Sequence, residues 1–200
     1  MDTWSRLQAG LPLLGKIHTI LCDTETDTVG RQPLWANHLA AGRVVAEVRR
    51  GTARLRGWFE PSWEHNFIVT ANEAAVLVAE GERDLQHLPR QLVHGDFWDN
   101  NVLFRDERIV LVADLDFMGE RPRIDDLALT LYYTNSTFAD GRDTPTRRSQ
   151  LRTLVDAYDR RLGVPLTNRE RAAIPLAMAR SALCFVAMIA DADSEEVGRT

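Results

Sequence analysis

The hydrophobic pattern of the chain changes in its middle, and this change limits the folds that it can adopt. Residues 91–94 form a short apolar run, and residues 101–105 and 108–114 are rich in β-forming side chains. Only Asp106 and Glu107 separate the last two runs, a spacing that predicts a β-hairpin. The sequence on both sides has mainly helical spacing. We therefore predict a mostly helical α+β fold with a small central β hairpin.

Helical spacing of apolar side chains predicts most of the remaining structure. Thr144 and Thr167 are candidate N-caps of two helices, and Thr70 or Asn72 has the same role for a third. The Trp-rich residues 57–67 follow neither the helical nor the strand period. No internal repeat or linker is evident, so residues 1–200 are predicted to form a single domain. The predicted helices are residues 4–22, 34–48, 71–88, 125–133, 145–162 and 168–191.

Composition and charge exclude two classes of protein. A chain of 200 residues with 44% hydrophobic and 26% charged residues can bury a sizeable core, which a disordered segment cannot. The formal net charge is -5 and no basic block is present. Because nucleic-acid binding depends on clustered positive charge, we expect no nucleic-acid partner.

The sequence also predicts a cytoplasmic protein without a membrane span. Cys22 and Cys184 are too few and too far apart for a disulfide framework, so we expect two reduced, buried thiols. The N-terminus lacks the basic and apolar regions of a signal peptide. Residues 174–190 are the most apolar stretch, but it is shorter than the roughly 20 residues that a bilayer requires, and we predict a core helix there.

The central β region carries the residues that indicate chemistry. His94, Gly95 and Asp96 follow the first short strand, Asn101 opens the hairpin, and Asp114 ends it. Because the loop before one hairpin strand lies beside the end of its partner, Asp96, Asn101 and Asp114 are expected to converge. Mg²⁺ is usually held by one or two protein oxygens together with substrate phosphates. Asn101 and Asp114 are therefore candidate Mg²⁺ ligands, which leaves Asp96 to accept a hydroxyl proton during phosphoryl transfer.

Several neighbouring polar residues have structural as well as functional interpretations. Asp99 and Asp116 are candidate substrate contacts, but each is equally well explained as a solvated surface carboxylate. His94 is predicted to be a structural support rather than the base. Asp126 is predicted to brace the start of a helix, where the helix dipole favours its charge. An exposed turn is predicted at Glu120, Arg121 and Arg123.

These motifs resemble those of a known enzyme family. The triad His94-Gly95-Asp96 with Asn101, followed by ADLDFMGERPRIDDLAL, is similar to the aminoglycoside phosphotransferase and choline kinase-like family of small-molecule kinases. That family has glycine where protein kinases have arginine in the triad, and its second motif runs from a metal-binding Asp to an Asp-Leu-Ala helix start. Asp114 and residues 126–128 match both ends of this motif. The first helix, GLPLLGKIH, resembles the helix that opens the family's C-terminal lobe.

The resemblance implies a fold, a reaction and a role for each matched residue. The fold is a protein kinase-like C-terminal lobe, and the reaction transfers the γ-phosphoryl group of ATP to a hydroxyl group of a small molecule. Asp96 is implied as the catalytic base, and Asn101 and Asp114 are implied as Mg²⁺ ligands. The remaining implied residues are His94, Gly95 and Asp126, which support the catalytic loop, and Leu103, which forms the floor of the adenine pocket.

The N-terminal lobe of that family has no counterpart in the sequence. No glycine-rich loop precedes the first helix, and the only lysine, Lys16, lies inside that helix. We therefore expect this lobe to be missing, with association through the face that it normally covers.

One alternative function is that of a truncated, catalytically impaired lobe that binds a ligand or a partner. Another is that of a metal-dependent phosphoesterase that uses Asp96 and Asp114. Trp98 is larger than is common in this loop and narrows the expected acceptor site. The acceptor itself stays open among aminoglycoside, choline-like, homoserine-like and sugar hydroxyl groups.

Overall fold

The computed structural model describes residues 4–24, 39, 41–57, 59–82, 87–138 and 144–190. Within these ranges the chain is mostly helical, as predicted, and has two small antiparallel sheets where the sequence predicts one hairpin. The helices are α1 (Trp4–Leu21), α2 (Val44–Arg54), α3 (Pro61–Glu82), α4 (Arg123–Phe138), α5 (Pro145–Asp159) and α6 (Asn168–Met188). The strands are β1 (Arg90–Val93), β2 (Val102–Arg105), β3 (Arg108–Val112) and β4 (Gly119–Pro122).

The strands form two separate antiparallel pairs. β2 and β3 make the predicted hairpin, with Asp106 and Glu107 in its turn at positive φ angles of 48° and 59°. β1 pairs with β4, a strand that the sequence analysis missed. The prediction of an exposed turn at Glu120, Arg121 and Arg123 is therefore wrong, and both arginines are buried. The polar sequence of β4 has no strand period, and its pairing with the distant β1 defines it.

Buried apolar side chains of the described residues form two clusters. One joins α1, α4, α5, the start of α6 and the hairpin, and the other joins α2, α3 and α6. Phe97, Leu127 and Tyr158 are completely buried in the first cluster. Truncating a side chain such as Phe97 to alanine typically costs about 3–5 kcal/mol. Because Phe97 belongs to the loop after β1, this cluster fixes that loop against rigid helices.

α3 begins earlier than the sequence predicts. It starts at Pro61, so the predicted caps Thr70 and Asn72 lie inside the helix, and that prediction is wrong. Proline suits the first helical position because its φ is already helical and it has no N–H to leave without a partner. Apolar residues lie on both faces of α3, such as the exposed Leu77 beside the buried Val78. The sequence therefore shows no clear helical period there.

Two predicted helices cover a different range in the structure. α2 begins at Val44, after the 3₁₀ turn Ala41–Arg43, and continues to Arg54 instead of ending at Val48. Residues 34–38 and residue 40, which the same prediction includes, lie outside the described ranges. α3 is described to Glu82; of the rest of its predicted range, residues 83–86 lie outside the described ranges, and residues 87 and 88 are not helical.

The other helices agree with the predictions more closely. α1, α5 and α6 begin where the sequence predicts, and α4 is longer than the predicted residues 125–133 at both ends. Thr144 Oγ1 accepts a hydrogen bond from the N–H of Arg147, and Thr167 forms a capping box with Glu170. Both predicted N-caps are therefore confirmed.

α6 is the one helix of the described residues that contains a long, strongly apolar window. By length and composition alone it is capable of crossing a membrane, and its most apolar window is 44% buried. It packs against α2, α3 and α4, the packing expected of a core helix. Cys184 on α6 is buried as predicted, but the prediction is wrong for Cys22, which follows the end of α1 and is exposed.

Candidate active site

The loop between β1 and β2 has a conformation that only glycine tolerates at its second position. Gly95 has a φ of 83°, a region that other residues rarely adopt. A Cβ atom at this position would lie 2.1 Å from the backbone oxygen of Phe117. The hydroxyl of Thr130 in α4 donates to the backbone oxygen of Phe97 at 2.5 Å, which holds the loop against that helix.

Asp126, in the first turn of α4, holds the start of this loop. Its Oδ2 accepts the N–H of His94 at 2.9 Å, and its Oδ1 accepts the N–H of Gly95 at 2.8 Å. His18 of α1 lies 3.1 Å from the same Oδ2 and 2.7 Å from the hydroxyl of Tyr158 in α5. All of these side chains are buried. Asp126 therefore links the loop to three helices.

His94 connects the loop to the end of the hairpin. Its Nε2 lies 3.0 Å from the backbone oxygen of Ala113, and its Nδ1 lies 3.2 Å from the backbone nitrogen of Asp96. A carbonyl oxygen only accepts and an N–H only donates, so Nε2 carries the proton and Nδ1 accepts. The position of Asp96 thus depends on the ring of His94.

Asp96 and Asn101 are in direct contact. Asn101 Nδ2 donates to the backbone oxygen of Asp96 at 2.9 Å and to its Oδ2 at 2.7 Å. The backbone oxygen of Asn101 accepts the N–H of Ala113 at 2.9 Å, so the end of β3 lies beside Asn101. Asp114 follows directly, exposed and with a φ of 61°. The structure therefore brings these residues into one neighbourhood.

The carboxyl group of Asp96 has a perturbed pKa. Burial raises it, and the nearby charge of Asp114 acts in the same direction. Hydrogen bonds from the side chains of Asn101 and Trp98 oppose this by stabilising the charged form. The net direction is upward, which makes the carboxylate a stronger proton acceptor.

The other residues singled out from the sequence lie at the surface around this loop. Leu103 is 43% exposed on β2, where it pairs with Leu111 of β3. Asp99 lies in the 3₁₀ turn that precedes Val102, and Asp116 follows Asp114 by two positions; both are exposed. The described part of the chain contains no group of three or more His, Cys, Asp or Glu residues suited to a metal ion.

Sequence reasoning missed two contributions to the site. His18 continues the buried stripe of Leu7, Leu11 and Leu14 on α1, a position that should have indicated a buried polar partner. Trp98 stacks on Tyr133 of α4 with ring centroids 4.6 Å apart. No sequence signal indicates this contact, because the two residues are distant along the chain.

Comparisons with known proteins give a family and a fold. The profile of the phosphotransferase enzyme family, APH, matches residues 13–173. No curated protein sequence matches the chain. The structure is similar to amicoumacin kinase hAmiN, solved in complex with AMP-PNP, Ca²⁺ and Ami, with a TM-score of 0.62 and 14% identity over 98% of this chain. The structure also matches aminoglycoside phosphotransferase APH(3'')-Id from Streptomyces rimosus, which was solved in complex with ADP and streptomycin. For this pair the TM-score is 0.45 and the identity is 18% over 92% of this chain. The chain spans 56% of the first protein and 62% of the second.

Proposed function

The chain belongs to the phosphotransferase enzyme family, and we propose that it is the C-terminal, catalytic lobe of a kinase. This kinase transfers a phosphoryl group from ATP to a hydroxyl group of a small molecule. The observation that carries the proposal is the double hydrogen bond from Asn101 Nδ2 to Asp96. It joins the buried carboxylate of Asp96 to the side-chain amide of Asn101, the residue directly before β2. Because the chain spans 56% of amicoumacin kinase, the activity of the whole protein is part of this proposal.

Asp96 is assigned as the general base. The acceptor hydroxyl donates a hydrogen bond to its carboxylate and passes its proton there as the phosphoryl group is transferred. The raised pKa of Asp96 supports this role, since a more basic carboxylate accepts the proton more readily. His94 and Asp126 act through the loop backbone and are assigned as positioning residues.

The side-chain oxygens of Asn101 and Asp114, which flank the β2–β3 hairpin, suit a magnesium ion. Both hydrogen bonds of Asn101 Nδ2 go to Asp96, so Asn101 Oδ1 remains as a ligand. Asp114 adds a carboxylate. It directly follows Ala113, whose N–H donates a hydrogen bond to the backbone oxygen of Asn101. Two such protein oxygens are what Mg²⁺ usually takes beside substrate phosphates. Asn101 and Asp114 would hold the metal ion of magnesium-ATP, which would supply the transferable phosphoryl group.

The surface residues are assigned to the two substrates. The exposed, apolar Leu103 offers a flat surface to the adenine ring beside the metal ligands. Asp99, three positions after Asp96, and Asp116, two positions after Asp114, are exposed carboxylates that suit a polar or amino-bearing end of the acceptor.

A second candidate function is a lobe that binds a partner without turnover. The observation that favours it is a set of exposed apolar side chains on and after the hairpin. Such a surface is unusual unless another molecule covers it. The set comprises Leu103, Val110, Leu111 and Leu115, which are 43–56% exposed.

Calorimetric titration of the full chain with magnesium-ATP tests the first candidate. We expect heat of binding for the natural sequence, loss of that heat in Asp114→Ala, and unchanged heat in Asp23→Ala, which removes an exposed carboxylate at the end of α1. Absence of heat in the natural sequence would rule out the kinase proposal and favour the partner-binding lobe. Loss of heat in both variants would show that Asp114 is not the specific ligand.

A further inference from the structure

A cavity of about 450 Å³ lies between α3, α4 and α6. Small-molecule sites typically have about 300–1,000 Å³. Its lining residues are apolar or aromatic except for Thr70, and none of them is charged. Its lining includes Phe67 from α3, Tyr132 from α4, and Ala182 and Phe185 from α6.

Aromatic rings connect this cavity to the proposed base. Tyr132 and Phe185 stack with centroids 5.7 Å apart, and Tyr133 meets Phe185 edge-on at 5.8 Å. Trp98 stacks on Tyr133 at 4.6 Å and its side chain hydrogen-bonds Asp96. A chain of contacting aromatic rings thus runs from the cavity wall to the loop that carries Asp96.

A second set of rings extends from the cavity to solvent. Phe67 stacks on Trp63 with centroids 5.2 Å apart, and Trp63 meets Phe59 at 4.6 Å. Trp63 is 51% exposed and Phe59 is 46% exposed. An exposed aromatic stack next to a cavity is typical of a binding site.

From this geometry, and resting on the proposed kinase function, we propose that the acceptor carries its hydroxyl group on an apolar, ring-bearing body that occupies this cavity. Rings bind such walls through stacked and edge-to-face contacts as well as through burial. A body with several charged ammonium groups is disfavoured, because the lining has no carboxylate, and cation–π contacts with a few rings do not replace the lost hydration of several buried charges. The hydroxyl group lies at the end of the body that faces Trp98 and Asp96.

The experiment uses 2-(2-naphthyl)ethanol as the probe, since it joins one hydroxyl group to an apolar double ring. Its binding to the full chain is measured by saturation-transfer NMR and calorimetry. We expect binding to the natural sequence and at least about tenfold weaker binding to Ala182→Phe, whose added ring fills the cavity. Ala172→Phe makes the same change at an exposed position of α6 and should bind as the natural sequence does.

If Ala182→Phe does not fold, Phe67→Leu removes a ring from the cavity wall without adding volume and should also weaken binding. The acceptor proposal is overturned if the probe does not bind, if the cavity variants bind it as well as Ala172→Phe does, or if streptomycin binds more tightly than the probe. It is also overturned if sedimentation shows that Ala182→Phe dissociates a dimer, since a second copy would then fill the cavity.

Titration of the same samples with magnesium-ATP separates the two proposals. Magnesium-ATP binding without binding of the probe overturns only the acceptor class. Absence of magnesium-ATP binding in the natural sequence overturns the kinase function, and the acceptor proposal with it.

Discussion

His18 Nε2 lies 3.1 Å from Asp126 Oδ2, and neither side chain is exposed to solvent. The contact joins α1 to α4, and the hydroxyl of Tyr158 at 2.7 Å extends it to α5. Asp126 also accepts the backbone N–H groups of His94 and Gly95. The conformation of the candidate catalytic loop therefore depends on a buried carboxylate that several helices hold in place.

Replacing Asp126 by asparagine should destabilise the protein. The substitution removes a buried charge with three hydrogen-bond partners and directs an amide N–H₂ toward backbone donors. We expect the free energy of unfolding, measured in urea, to fall by about 3 kcal/mol. Asp156→Asn, at a carboxylate whose side chain is 51% exposed, should cost less than about 1 kcal/mol. Equal losses in the two variants would contradict the role given to Asp126.

Gly95→Ala should be more damaging than Gly57→Ala. Both glycines have positive φ, 83° and 86°, but a Cβ on Gly95 meets the backbone oxygen of Phe117, whereas one on Gly57 meets nothing within 4 Å. The left-handed conformation alone costs an alanine about 1–2 kcal/mol. Thermal unfolding should show a loss of that size for Gly57→Ala and a larger loss for Gly95→Ala. A similar shift in both would mean that the loop relaxes away from Phe117.

Arg123 forms a buried ion pair that the sequence did not predict. Its Nε donates to Glu170 Oε1 at 2.7 Å and a second nitrogen donates to Oε2 at 3.1 Å. Arg123→Met leaves the carboxylate of Glu170 buried without this partner and should cost about 3–5 kcal/mol in urea unfolding. Arg171→Met, which breaks more exposed pairs with Asp156 and Asp159, should cost less than about 1 kcal/mol.

The pH dependence of the Arg123→Met variant provides a second measurement. Burial acts to raise the pKa of Glu170, but hydrogen bonds from Arg123 and Thr167 prevail and lower it below its ordinary value of 4.5. The natural protein should therefore lose this stabilisation as the pH falls from 4.5 through the native pKa. In Arg123→Met burial should raise the pKa, so acidification should stabilise that variant relative to the natural protein. Parallel stability curves would contradict the assignment.

The two cysteines should differ in reactivity. Cys22 is exposed, whereas Cys184 is buried and burial raises its pKa to about 11. Iodoacetamide should therefore alkylate Cys22 in the native protein and Cys184 only in denaturant, as followed by peptide mass spectrometry. The hydrogen bond to Asp23 raises the pKa of Cys22, so Asp23→Asn should speed its alkylation at pH 8. Modification of native Cys184 at a comparable rate would contradict its burial.

Local signals in the sequence predict much of this fold, and long-range contacts account for what they miss. The β2–β3 hairpin and the caps Thr144 and Thr167 depend on residues a few positions apart, and they were predicted correctly. β4 is defined by its pairing with β1, which no local pattern indicates. His18 contacts Asp126, which is 108 positions away in the chain. Periodicity indicates that a side chain is buried, but it does not identify the partner, which is also why the burial of Arg123 was missed.

Asp96→Asn should reduce turnover while leaving nucleotide binding intact. Asparagine keeps the size of the side chain, so the loop and the metal ligands should be retained, but it no longer accepts a proton at ordinary pH. General-base catalysis typically contributes about 10²–10⁴-fold, and we expect ADP formation with 2-(2-naphthyl)ethanol to fall by that factor. Asp106→Asn in the hairpin turn is the matched control, because asparagine tolerates its φ of 48°. Full turnover in Asp96→Asn, with melting temperature and magnesium-ATP binding unchanged, would show that Asp96 is not the base.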